Sequence, residues 1–157
     1  MKTIKRVGGV IVVVWLISHF FQPAKNTGDY KALAPFYAET NPSKEVKEIL
    51  TKACLDCHSN TTQYPWYSGI VPVNYWMANH IEEGKEHLNF SNWGAYSLKR
   101  KEHKMEEVYE EVEEQHMPIS SYTWTHGDAK LSADEVNSLV SWAKEVQATY
   151  KKQLTQQ

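Results

Sequence analysis

A chain of 157 residues has room for one domain with a modest core and a leader. The formal charge is −2, and with Lys2, Lys5 and Arg6 set apart the remainder is mildly acidic, which excludes nucleic-acid binding through a clustered basic surface. Two cysteines exclude a disulfide framework, while six Trp and nine Tyr are a large aromatic supply for so small a core.

In chain order, the basic start is followed by an apolar run over residues 7–21, broken only by Ser18 and His19. That is the layout of a secretory signal or a signal anchor. Phe20, Phe21 and Gln22 offer no small-x-small cleavage site, and Ala32-Leu33-Ala34 lies far downstream before Pro35. Residues 1–22 are therefore expected to be an uncleaved transmembrane anchor. Its basic end stays cytoplasmic, and the rest lies on the periplasmic, extracytoplasmic side. Residues 23–42, punctuated by Pro23, Asn26, Gly28, Pro35, Asn41 and Pro42, read as a tether that reaches at most roughly 70 Å when extended.

The domain is expected over residues 43–152, with a tail at 153–157. Ser43 caps a helix whose Val46, Ile49, Leu50 and Ala53 share one face, and Cys54 and Cys57 continue its phase. Residues 59–71 read as loop. Pro72 opens a second helix with Val73, Trp76, Met77, His80 and Ile81 in a stripe, ending at Gly84 or near Asn89. A third runs over about 98–115 with Leu98, Met105, Val108, Tyr109 and Val112 inward and six glutamates on a solvated outer face. The last starts at Ser132, where Glu135 completes a capping box, and Val136, Leu139, Val140, Ala143 and Val146 line one side beside Trp142. No segment alternates with period two, so the expected fold is all-α.

Cys54-Leu55-Asp56-Cys57-His58 carries the chemistry. Two cysteines three apart project to one side of a helical turn and match the spacing of two vinyl groups. The following histidine then faces the iron, which is why Cys-x-x-Cys-His is the attachment pattern for c-type haem. A thioredoxin-like site needs a βαβ context, and a zinc site needs a second ligand pair; the chain shows neither. The expected cofactor is one covalent haem c with its iron, held by Cys54 and Cys57 and by His58 as proximal ligand. Met117, before Pro118 in a loop ahead of the last helix, is the expected distal ligand. His80, on the stripe of the second helix, is the alternative. Trp66, Tyr67, Trp76 and Trp93 are candidate pocket walls.

From about Ser43 to Trp142 the chain resembles a small cytochrome-c-like haem-binding domain of exported, membrane-anchored bacterial proteins. The matching pieces are the Cys-x-x-Cys-His motif, Tyr64-Pro65-Trp66-Tyr67, Trp76 with His80-Ile81 and Gly84, and Leu88-Asn89-Phe90-Ser91 with Trp93. Met117-Pro118 with Ser121-Tyr122 and Ala129-Lys130-Leu131-Ser132 complete it. The resemblance implies haem binding and a cytochrome c type of fold, and contains both Met117 and His80. The expected function is single-electron transfer by a membrane-tethered monohaem cytochrome that serves redox partner proteins and is no enzyme. The alternative is a haem-based sensor, gas-binding or peroxidase-like domain with an open distal site.

Overall fold

The computed structural model describes residues 2–156, and among these the regular structure is helical. Its one strand-like feature is an isolated antiparallel bridge between Thr27 and Thr61. Helix α1 (Lys2–Ser18) comes first, then a 3-10 turn over Tyr30–Leu33 that runs into α2 (Ala34–Thr40). The site is built by α3 (Lys44–Ala53), the single turn α4 (Leu55–His58) and α5 (Val73–His87). Helix α6 (Leu98–Glu113), the short α7 (Ser120–Thr125) and α8 (Ala133–Leu154) follow. The expected tail is thus partly the end of α8.

The caps explain the starts. Ser43 Oγ accepts from Val46 N at 3.1 Å, and Ser132 and Glu135 bond each other reciprocally at the head of α8. Pro72 is the N-cap of α5, one position earlier than expected. Helices α6 and α8 pack lengthwise, burying Met105 and Val112 against Leu139, Val140, Ala143 and Val146. Val46, Ile49 and Leu50 of α3 complete this side of the core.

The expected tether needs correction. Leu33, Phe36 and Thr40 are spaced to share one helical face and are buried, and the Phe36 ring lies 4.5 Å from Phe90 and 5.2 Å from Trp93. Trp142 Nε1 donates to Thr40 O at 3.1 Å. Pro35 sits in the first turn of α2, where a missing N–H costs nothing, so it opens the helix rather than breaking it. Residues 26–28 are also fixed: Asn26 Nδ2 donates to Ser59 O and Thr62 Oγ1, and Gly28 N donates to Asn60 O. The domain therefore starts well before Ser43.

Helix α1 has 17 residues, about 26 Å of rise against a hydrocarbon core of about 30 Å. Among the described residues, no helix is long and apolar enough to cross a membrane. Its C-terminal end is not separated from the domain by a long tether. Trp15 Nε1 donates to Val71 O at 3.0 Å, Asn74 Nδ2 to Gln22 Oε1 at 2.6 Å, and Tyr75 OH to Phe21 O.

Candidate functional site

The two cysteines sit at a break between helices. Cys54 ends α3 with φ −127° and ψ −44° and also precedes α4, so the expected continuous helix turns there. Its carbonyl accepts from Cys57 N at 3.2 Å and His58 N at 2.9 Å, closing one tight turn. Leu55 is buried beneath that turn, which holds Cys54, Cys57 and His58 toward the other side. Asp56 fastens it outward: Oδ1 accepts from Gln63 N and Oδ2 from Tyr122 OH, each at 2.8 Å. Burial and the adjacent Asp56 carboxylate push the Tyr122 phenol up, so it remains a donor.

His58 is the most constrained side chain of the motif. Its Nδ1 lies 2.9 Å from Gly84 O and 3.0 Å from Leu88 O, and two acceptors fix the proton on that nitrogen. Nε2 is left with a free lone pair. Burial pushes the ring's pKa down, which keeps it neutral. Gly84 is needed for this approach, since a Cβ there would stand 2.9 Å from Cys57 O and 3.0 Å from Cys57 Cβ. Helices α4 and α5 meet at that point without an intervening side chain.

Cys54, Cys57, His58, His80, Met117 and Tyr122 line one cavity of about 610 Å³. A second, of about 440 Å³, shares Cys57, His80 and Tyr122 and is walled by Tyr67, Trp76 and Trp124. The cysteines are free thiols. Burial pushes Cys54 up to about 12 and Cys57 up to about 11, the opposite of an activated redox thiolate. Among the described residues, no three His, Cys, Asp or Glu side chains are gathered to hold a bare metal ion. A haem iron makes a different demand, because the porphyrin supplies four ligands and the protein only the axial ones. A volume in the range of organic-cofactor pockets, two thiols on one wall and one oriented imidazole fit that demand.

A model of the haem-binding domain family matches residues 13–145. The chain belongs to the haem-binding domain family. Searches of curated proteins and of solved structures found no match.

Within this haem-binding domain, the residues singled out in the sequence lie in four places. Cys54, Cys57, His58, His80 and Met117 share the larger cavity. Tyr67 and Trp76 wall the smaller one, and the Tyr67 hydroxyl is buried without a hydrogen-bond partner among the described residues. Trp66 and Trp93 line neither: Trp66 is 87% exposed, while Trp93 is fully buried and donates from Nε1 to Tyr150 OH. Sequence reasoning missed the carbonyls of Gly84 and Leu88, which carry no side-chain signal. It also missed Asp56 and Tyr122, which are 66 positions apart. Glu107 and Glu111 reach the cavity from a helix face read as wholly solvated.

Proposed function

We propose that the domain holds one haem covalently and carries single electrons. Cys54 and Cys57 would hold the group through two thioethers, each formed by adding its S–H across one vinyl group, and His58 Nε2 would bind the iron as the proximal ligand. The observation that carries this reading is the double carbonyl contact at His58 Nδ1, beside both thiols. Such a partner fixes tautomer and ring orientation and makes the ligating nitrogen more basic. When bound, the group supplies reversible one-electron chemistry at iron. The protein retains it, orients its axial ligand and lowers the polarity around it.

Met117 is the distal ligand in this reading. Its backbone N–H donates to Glu111 O at 3.0 Å, which seats the residue at the cavity, and a thioether raises the reduction potential relative to a second histidine. One observation favours His80 as a second reading: Nδ1 lies 2.9 Å from Trp76 O, so its Nε2 is also free. Helix α1 exposes apolar side chains on all sides, Val10, Ile11 and Val14 among them. We take its solvent to be lipid, with Lys5 and Arg6 at the cytoplasmic end, the domain on the periplasmic side, and protein redox partners there.

The test is the purified full chain after loading. Haem should stay with the polypeptide on a denaturing gel, and Cys54→Ala/Cys57→Ala should release it. Low-spin bands in both oxidation states without a carbon monoxide complex are the expected spectra. A strong carbon monoxide complex would replace electron transfer with the sensor or peroxidase-like reading. Loss of the far-red sulfur-to-iron band in Met117→Ala, but not in His80→Ala, assigns the distal ligand to Met117; the reverse dependence of the low-spin spectrum assigns it to His80.

A further inference from the structure

Charge is absent from two stretches that fold together. Residues 57–81 contain no Asp, Glu, Lys or Arg, and neither do residues 117–127. They meet around the smaller cavity, where Pro65, Tyr67 and Trp76 of the first face Ile119, Tyr122 and Trp124 of the second. The outer surface of this region is aromatic. Trp66 and Trp124 are 87% and 88% exposed, and Ile70, Tyr75 and Trp76 of the first stretch are exposed as well. The Trp66 ring stands edge-on to Tyr67 at 5.6 Å. A soluble domain rarely displays a contiguous apolar patch without a partner for it.

The place of α1 identifies that partner. The C-terminal end of α1 meets this same surface, through Trp15 on Val71, Gln22 on Asn74 and Phe21 on Tyr75. Phe20 and Phe21 are exposed at the junction. A helix of this length is a few ångströms short of the hydrocarbon core, and a short segment is accommodated by bringing its flanks down to the lipid. Trp and Tyr are the residues that settle at the headgroup level. Lys25, stacked over the Tyr64 ring at 5.0 Å, marks the rim with a cation suited to lipid phosphate. The glutamate-rich α6 lies outside these stretches and is a poor lipid contact.

We infer that the uncharged aromatic face formed by residues 57–81 and 117–127 rests in the headgroup–acyl boundary of the membrane that holds α1. This rests on the lipid reading of α1 and adds to it an orientation. The domain lies down on the bilayer with the His80 and Trp76 side of its cavities toward lipid, instead of swinging above it.

The full haem-loaded chain in phosphatidylcholine vesicles is the sample. The probe is phosphatidylcholine with a photoactivatable diazirine high in one acyl chain, with adducts mapped by peptide mass. Adducts are expected on α1 and on the peptides that hold Trp66 and Trp124, with α6 at background. Adducts on α1 alone would overturn the face and leave the anchor standing. No adducts on α1 would remove the anchor reading and the face with it. Trp66→Ser alters a side chain that is 87% exposed and lines neither cavity, so fold and haem content should persist. Its adduct yield on the Trp66 peptide should fall several-fold while that on α1 holds; an unchanged yield would show that the exposed aromatic does not make the contact.

Discussion

Gly84 does two things that no other residue type could do at once. Its carbonyl accepts from His58, and its missing side chain lets α5 approach the backbone of Cys57. A methyl group at that point meets a carbonyl oxygen and a Cβ, neither of which can rotate away. Gly84→Ala should therefore force the two helices apart at a cost of about 1–3 kcal/mol, the usual range for overpacking. Urea denaturation reads the stability. The spectrum of the loaded form reads the second effect, because a shifted Gly84 carbonyl loosens the orientation of His58. A variant as stable as the parent would mean that the contact between α4 and α5 yields easily. The Asp56–Tyr122 bond offers a contrast. Tyr122→Phe keeps the ring stacked on His126 at 4.2 Å and removes only the hydroxyl, leaving the other Asp56 oxygen bonded to Gln63 N. Its expected cost is about 1.5–3 kcal/mol, that of a hydrogen bond to a charged group, measured in the same denaturation series.

Helix α8 shows how one cap joins two elements. Glu135 accepts from Ser132 within the capping box and also from Lys52 Nζ of α3 at 2.5 Å. The Lys52 ammonium is the main cause of its lowered pKa, followed by the Ser132 backbone N–H. The folded state thus holds the proton less tightly than the unfolded chain does. The stabilisation is complete above the ordinary glutamate value and is lost as pH falls through the lowered one. Both side chains remain about a quarter exposed, so the ion pair contributes about 0.5–1 kcal/mol. Glu135→Gln should be less stable than the parent at neutral pH, and the two stability curves should converge in acid. A constant gap at all pH values would assign the effect to the cap geometry alone. This cap was legible in the sequence because its three-residue spacing is local, and so were the faces of α3, α6 and α8, where apolar residues repeat at the helical period. The motif turn was legible for the same reason. The break at Cys54 was not, since the apolar phase runs on through it and the turn is enforced by contacts with α5 and Asp56. Trp93 is buried in the core and lines neither cavity, a place that composition does not reveal, since it cannot tell an aromatic that faces a cofactor from one that fills a core.

On the scale of the whole molecule, the segment before Ser43 decides what the domain is. Pro35 and Gly28 concealed a core element, although the fold accommodates the one and requires the other: Pro35 lies in the first turn of α2, and at Gly28 a Cβ would stand 2.6 Å from Asn60 O. Phe36 is fully buried among Phe90, Trp93 and Trp142, on the side of the core next to His58, whose ring stands 6.4 Å from Phe90. Removing such a side chain leaves a cavity that surrounding rings fill poorly, so Phe36→Ala should cost about 3–5 kcal/mol. That is a large share of the roughly 5–15 kcal/mol that stabilises a domain. A chain starting at Ser43 loses Leu33, Phe36 and Thr40 together, with the Asn26 clamp on the loop after His58. It should lack a cooperative urea transition and should load haem poorly, whereas a chain starting at Pro23 keeps all of these contacts and should unfold cooperatively. Circular dichroism of the two truncations, side by side, separates the possibilities. Cooperative unfolding of the shorter chain would show that α3, α5, α6 and α8 form a sufficient core without α2. Failure of both chains would place α1 itself among the elements that hold the domain together, through its contacts with residues 71–75.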